Sequence, residues 1–188
     1  MKRNIAIAVF VFLALLVSNV FAGDFVLKSP QLQEGGQLGA EQVLFGFGCT
    51  GKNISPALSW EGAPQGTKSF AITVYDPDAP TGNGFWHWII FNIPADVTSL
   101  SQNAGDPASG LAPKESIQSR TDLNRFGYGG GCPPAGDKPH RYQFTVYALD
   151  IEKLALDANT PAMMVVPDLN AHTIAKLTIT VYYSRKAE

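Results

Sequence analysis

Charge is scarce in this sequence. Asp, Glu, Lys and Arg make up 16% of its 188 residues, and Lys and Arg form no cluster. That argues against nonspecific binding to nucleic acid or anionic membranes, both of which need a basic patch. Cysteine is nearly absent: neither Cys49 nor Cys132 has a second Cys or a His at ligand spacing, so no zinc or other metal site is expected. No Gly-Lys-Ser/Thr completes a phosphate loop of the nucleotide type, and no Gly-x-Ser-x-Gly elbow marks a serine hydrolase. Repeats and linkers are missing too.

What is present is apolar and turn-rich. Hydrophobic residues reach 45% and aromatics 11%, with 18 Gly and 13 Pro. This composition suits one packed domain of many strands. The first residues are expected to stand apart from it. Lys2 and Arg3 precede an unbroken apolar run from Ile5 to Val17, and small Ala22 follows. This is the layout of a secretory signal, residues 1–22, cleaved before Gly23. The run has 13 residues, short of the roughly 18 that a bilayer-spanning helix needs, so a transmembrane protein is not expected. The domain at 23–188 then carries a net charge of −4 in a periplasmic or secreted setting. There an even cysteine count favours a Cys49–Cys132 disulfide, with two buried free thiols as the alternative. A bridge across so long a loop would stabilise by about 4 kcal/mol.

Period-two alternation predicts half-buried strands. Phe70, Ile72 and Val74 alternate with Ala71, Thr73 and Tyr75, and Tyr142, Phe144, Val146 and Ala148 alternate with Arg141, Gln143, Thr145 and Tyr147. Leu177, Ile179, Val181 and Tyr183 form a third such run. Trp88 to Phe91 is apolar throughout, as in a strand covered on both faces. Phe25–Leu27 and Leu58–Trp60 read as short strands. Residues 101–126 read as a long polar excursion, and a helix is expected from about Pro161 or Asp168 to Ala175.

Three histidines invite attention. His87 and His140 each follow a Gly/Pro loop at the start of a strand, so both can project toward one pocket mouth, where imidazole suits an oxyanion. Asp76-Pro77-Asp78-Ala79-Pro80 closes a strand with two acids held between prolines. One of these carboxylates can orient a His ring, or both can cap backbone N–H groups in a turn. The glycine run Gly127 to Gly131, with Cys132, Pro133 and Pro134 after it, allows a tight loop to approach such a pocket. His172 reads as structural.

Taken in order, Asp76 to Pro80, Trp86-His87-Trp88, Gly127-Tyr128, Cys132-Pro133-Pro134 and His140-Arg141-Tyr142 resemble the phosphatidylethanolamine-binding protein family. The match is nearest to its bacterial YbhB/YbcL-like, or Raf-kinase-inhibitor-like, branch and to the exported members of that branch. The resemblance implies an antiparallel β-sandwich around a large central sheet with a late C-terminal helix. It also implies a small pocket for phosphate or phosphorylated head groups. Carried over, Asp76, His87, His140 and Tyr142 would form that pocket, with Pro133 and Pro134 as one wall. Asp78, Pro80 and Arg141 would support it. Binding or regulation, without catalysis or a cofactor, is the expected role. A protein-interaction or inhibitor module acting through residues 101–126 is the alternative, and a His/Asp hydrolase stands behind it for want of an activated nucleophile. A protein partner and a homodimer stay open.

Overall fold

The computed structural model describes residues 24–187. The segment expected to be a signal, residues 1–22, lies outside the described residues.

In chain order the strands are β1 (Val26–Lys28), β2 (Phe45–Gly46), β3 (Cys49–Thr50), β4 (Leu58–Glu61), β5 (Ser69–Asp76), β6 (Phe85–Pro94), β7 (Ser99–Leu100), β8 (Ile117–Gln118) and β9 (His140–Leu149). Helix α1 (Ala162–Ala171) and strand β10 (Thr173–Tyr183) follow. Five strands form the main antiparallel sheet in the order β10-β9-β5-β6-β8, and β1-β4-β7 form a second sheet of three. Phe70, Ile72, Val74, Phe144 and Val146 on one face of the main sheet share a core with Leu58 and Trp60 of the small sheet. Trp60 meets Phe70 edge to face, with ring centroids 5.2 Å apart. The mostly β sandwich is therefore the observed architecture.

The other face is covered as well. Ala71, Ile89, Phe91, Tyr147 and Leu149 pack under Ala162, Val165 and Leu169 of α1. Consequently β5 is buried at nearly every position, where its alternation predicted a half-buried strand. The alternating small and polar residues Ala71 and Thr73 fit beneath the second layer as readily as they would face water.

Two predicted boundaries move. The helix ends at Ala171, and Ile174 and Ala175 belong to β10, whose pairing with β9 begins at Thr173↔Leu149. Ten paired residues of ladder outweigh one more helical turn. The 101–126 excursion is tied down more firmly than its polarity implied. Within it β8 pairs with β6, Ala104 is fully buried, and Gln118 accepts a hydrogen bond from Trp88 Nε1 (2.8 Å).

Candidate functional site

Where β5 ends and β6 and β9 begin, the sheet opens into a cavity of about 420 Å³. Period two delivers three of its side chains. Asp76 follows Val74 on the inner face of β5, and His140 and Tyr142 precede Phe144 on the inner face of β9. All three are almost completely buried, at 2%, 1% and 1% exposure.

His87 arrives by a different route. In the β5–β6 ladder Val74 faces Trp88 while Tyr75 faces Trp86, so His87 is the extra residue of a β-bulge. Without the bulge Trp86 and Trp88 would share a face. With it, Trp88 enters the sandwich core, Trp86 packs against the α1 layer beside Tyr75, and His87 turns into the cavity. Its ring lies 5.2 Å from that of Tyr142, nearly perpendicular to it.

Asp76 realises both readings of its loop at once. Its Oδ1 accepts from the Asp78 backbone N–H at 2.8 Å, and its Oδ2 accepts from Nδ1 of His140 at 2.7 Å. The other ring nitrogen of His140 lies 3.4 Å from Asp137 Oδ2. Asp78 in turn clamps the start of β9. It accepts from the backbone N–H of Arg141 (2.9 Å), from Nε (2.8 Å) and from Nη2 (3.0 Å), and Lys138 Nζ stands 3.7 Å away. The guanidinium hydrogen bonds hold the Asp78 carboxyl at about 2, below its ordinary value near 4. The loop after Asp78 brings Ala79, Pro80 and Thr81 to the mouth.

The far wall is the glycine run. Gly130 N–H donates to Asn53 Oδ1 (2.8 Å), and a Cβ at Gly130 would lie 2.2 Å from the Gln42 carbonyl oxygen. Only glycine lets this strand of loop lie against Gln42 to Leu44. Gly131 is similarly pressed on the Tyr142 ring, 2.7 Å from where its Cβ would be. The Cys49–Cys132 disulfide then ties the wall to the β2–β3 hairpin, so the bridged alternative holds. Pro133 and Pro134 complete this side, and Arg185 fastens it by donating Nε–H to the Pro133 carbonyl (2.7 Å).

Two groups are in unusual states. Burial pushes the His87 imidazole below its ordinary pKa, against an opposing pull from Asp76, and so favours the neutral ring. The Tyr142 hydroxyl is buried with no hydrogen-bond partner among the described residues. Asp76 and the Cys132 backbone lie near it without completing a bond, and burial followed by the Asp76 charge pushes its pKa up, so it stays a donor. A buried donor without an acceptor costs free energy unless something else fills the cavity.

A family model described as phosphatidylethanolamine-binding protein matches residues 28–184. The chain belongs to the phosphatidylethanolamine-binding protein family. Its relatives in that family include YbcL of Escherichia coli K12, 49% identical over 174 residues that cover 93% of this chain and 95% of YbcL. YbhB of the same organism is 46% identical over 160 residues, covering 84% and 99%. The crystal structure of E. coli YbcL superimposes with a TM-score of 0.84 at 51% identity, covering 86% of this chain and 99% of that one. The bacterial YbhB/YbcL branch read from the motifs is thus the right one.

The structure brings together every predicted residue of the family pocket: Asp76, His87, Pro133, Pro134, His140 and Tyr142 line one cavity, with Pro80 at its mouth. Asp78 and Arg141 stand behind it. Leu44, Phe47, Phe85, Asp122 and Leu123 line it too and were not singled out in the sequence. Asn53, which braces the glycine run on both sides by also donating to the Tyr128 carbonyl (3.1 Å), was equally silent. His172 is remote, capping α1 and paired with Asp150 (2.9 Å). Among the described residues no group of three His, Cys, Asp or Glu is placed to hold a metal ion, and no helix is long and apolar enough to cross a membrane.

Proposed function

We propose that this protein is an exported binding protein whose pocket captures phosphate or the phosphorylated head group of a small molecule. The observation that carries the reading is the Tyr142 hydroxyl, a buried donor with no acceptor among the described residues, facing a cavity shared with two imidazoles. An oxyanion supplies the missing acceptor. The apolar remainder of the lining, from Leu44, Phe47, Phe85 and Leu123, excludes water and accommodates an organic substituent. The role is retention or regulation; among the described residues the lining includes neither Ser nor Lys, and its Cys132 is held in the disulfide. Export to the periplasm or beyond follows from the basic and apolar start of the chain.

Calorimetric titration with phosphoethanolamine tests this reading. Saturable one-site binding is expected, lost in His140→Ala while the circular dichroism spectrum is kept. Unchanged binding in that variant would remove the pocket from consideration.

A further inference from the structure

The cavity that accepts the oxyanion carries no fixed positive charge. Neither Lys nor Arg lines it. The cations beside its walls are engaged outside: Arg141 and Lys138 hold Asp78, and Arg185 holds the carbonyls of Pro133 and Gly48. Two carboxylates face the space, Asp76 from β5 and Asp122 from the segment after β8, and Asp137 approaches the back of His140. The Nδ1 edge of the His140 ring is turned to the Asp76 carboxyl, 2.7 Å away, and so is taken up within the protein. His87 adds no reliable positive charge, being buried in the wall of the cavity. A dianion placed among these groups meets repulsion and loses its hydration.

The tautomer of His87 sharpens the point. Its Nδ1 lies 3.0 Å from the Gly129 carbonyl oxygen. A carbonyl only accepts, so Nδ1 bears the proton and Nε2 of the neutral ring is left with a lone pair. No hydrogen-bond partner for Nε2 is found among the described residues. The cavity thus offers Tyr142 O–H, a buried donor unpaired among the described residues, and the ring of His87, whose Nδ1 is engaged by Gly129 and whose Nε2 keeps a lone pair. A ligand that satisfies both must itself present an acceptor and a donor.

The geometry points to a pocket selective for protonated, singly charged oxyanions: a phosphomonoester or phosphonate monoanion that keeps one P–O–H, in preference to its dianion or to a sulfate ester. This rests on the proposed phosphate-type ligand and narrows it to one protonation state. The P–O⁻ and P=O oxygens receive Tyr142 O–H, and the P–O–H donates to His87 Nε2. No bond to phosphorus is made or broken.

Methyl phosphate and methyl sulfate separate the possibilities. Both fit one site, but methyl sulfate is a monoanion with no acidic proton, whereas methyl phosphate loses its second proton near pH 6. Calorimetric titrations of the purified protein from about pH 5 to about pH 8 should show methyl phosphate weakening as the dianion forms, by about tenfold per pH unit above about 6. Methyl sulfate should bind about tenfold or more weakly than methyl phosphate at the acid end, the scale of one buried lone pair left without a donor. Equal affinities that fall together with pH would assign the dependence to the protein's own imidazoles and overturn the inference while leaving the anion pocket intact. Methyl phosphate binding that is flat or tightens with pH overturns it as well. Failure of methyl phosphate, methyl sulfate and phosphoethanolamine to bind at any pH overturns the pocket reading itself, and this inference with it.

Discussion

Asp76 and His140 are joined by a buried hydrogen bond, 2.7 Å between Oδ2 and Nδ1, with both side chains at 3% exposure or less. Such a bond adds modest net stability, but removing one partner leaves the other buried and unsatisfied. Asp76→Ala is therefore expected to lower the unfolding free energy by about 1–3 kcal/mol. It also releases the Asp78 N–H from its acceptor. Urea denaturation checks this, and a midpoint within error of the wild type would show the pair to be hydrated in solution.

The second carboxylate of the loop has a different dependence. Asp78 is held at about 2 by the Arg141 hydrogen bonds, below its unfolded value of about 3.9. Its folded pKa is depressed, so its contribution is fully present above about pH 4 and disappears as pH falls through about 2. Asp78→Asn should cost about 1 kcal/mol near neutrality, the upper end for ion pairs that face water. The difference from wild type should vanish toward pH 2. A gap that persists at that pH assigns the loss to packing instead of charge.

Closing the ring between Cys49 and Cys132 joins residues 83 apart. On the chain-entropy estimate the paired Cys49→Ser and Cys132→Ser variant loses about 4 kcal/mol. Denaturation of the wild type with and without reductant provides a second reading of the same quantity. Agreement between the two is expected, because both leave the same open chain.

How far these features were visible beforehand depends on the range of the interaction that makes them. The strands β5, β9 and β10 were readable since Phe70 to Val74, Tyr142 to Ala148 and Leu177 to Tyr183 write their inner faces at period two. The same periodicity aims Asp76, His140 and Tyr142 into one space. His87 obeys no such rule. Its direction comes from a bulge opposite Val74 and Tyr75, which only the paired strand defines. The β2–β3 hairpin and β8 have two residues per strand and leave too short a pattern to detect. The Asn53 brace spans 77 residues to Gly130, a contact no local window contains. The end of α1 was misplaced because Ile174 and Ala175 continue a helical spacing that the β9 ladder overrides.

Gly131 gives a prediction about shape. A methyl group there would sit 2.7 Å from Tyr142 Cζ and 2.8 Å from Leu38 Cδ2, both in the core. Gly131→Ala must move the tyrosine ring or the loop, at a cost of about 1–3 kcal/mol. Because the ring carries the ligand-facing hydroxyl, anion affinity should fall along with the melting temperature. Retained affinity at reduced stability would mean that the loop yields and the ring does not.

Tyr142→Phe separates stability from function more sharply than any other change. Free of ligand, the wild-type hydroxyl is buried without an acceptor, and deleting it removes a desolvated donor while leaving the ring and its packing on His87 unchanged. The unliganded variant should therefore be more stable than wild type, by about 1 kcal/mol, or at worst equal to it. Its affinity for phosphoethanolamine should fall by about tenfold, since the oxyanion loses a buried donor in a cavity that no described Lys or Arg lines. A gain in melting temperature with a loss in affinity is the signature of a residue kept for binding at the expense of the fold. The opposite pair, lower stability with unchanged affinity, would show that the hydroxyl is bonded within the protein in solution and that the ligand is held by other groups.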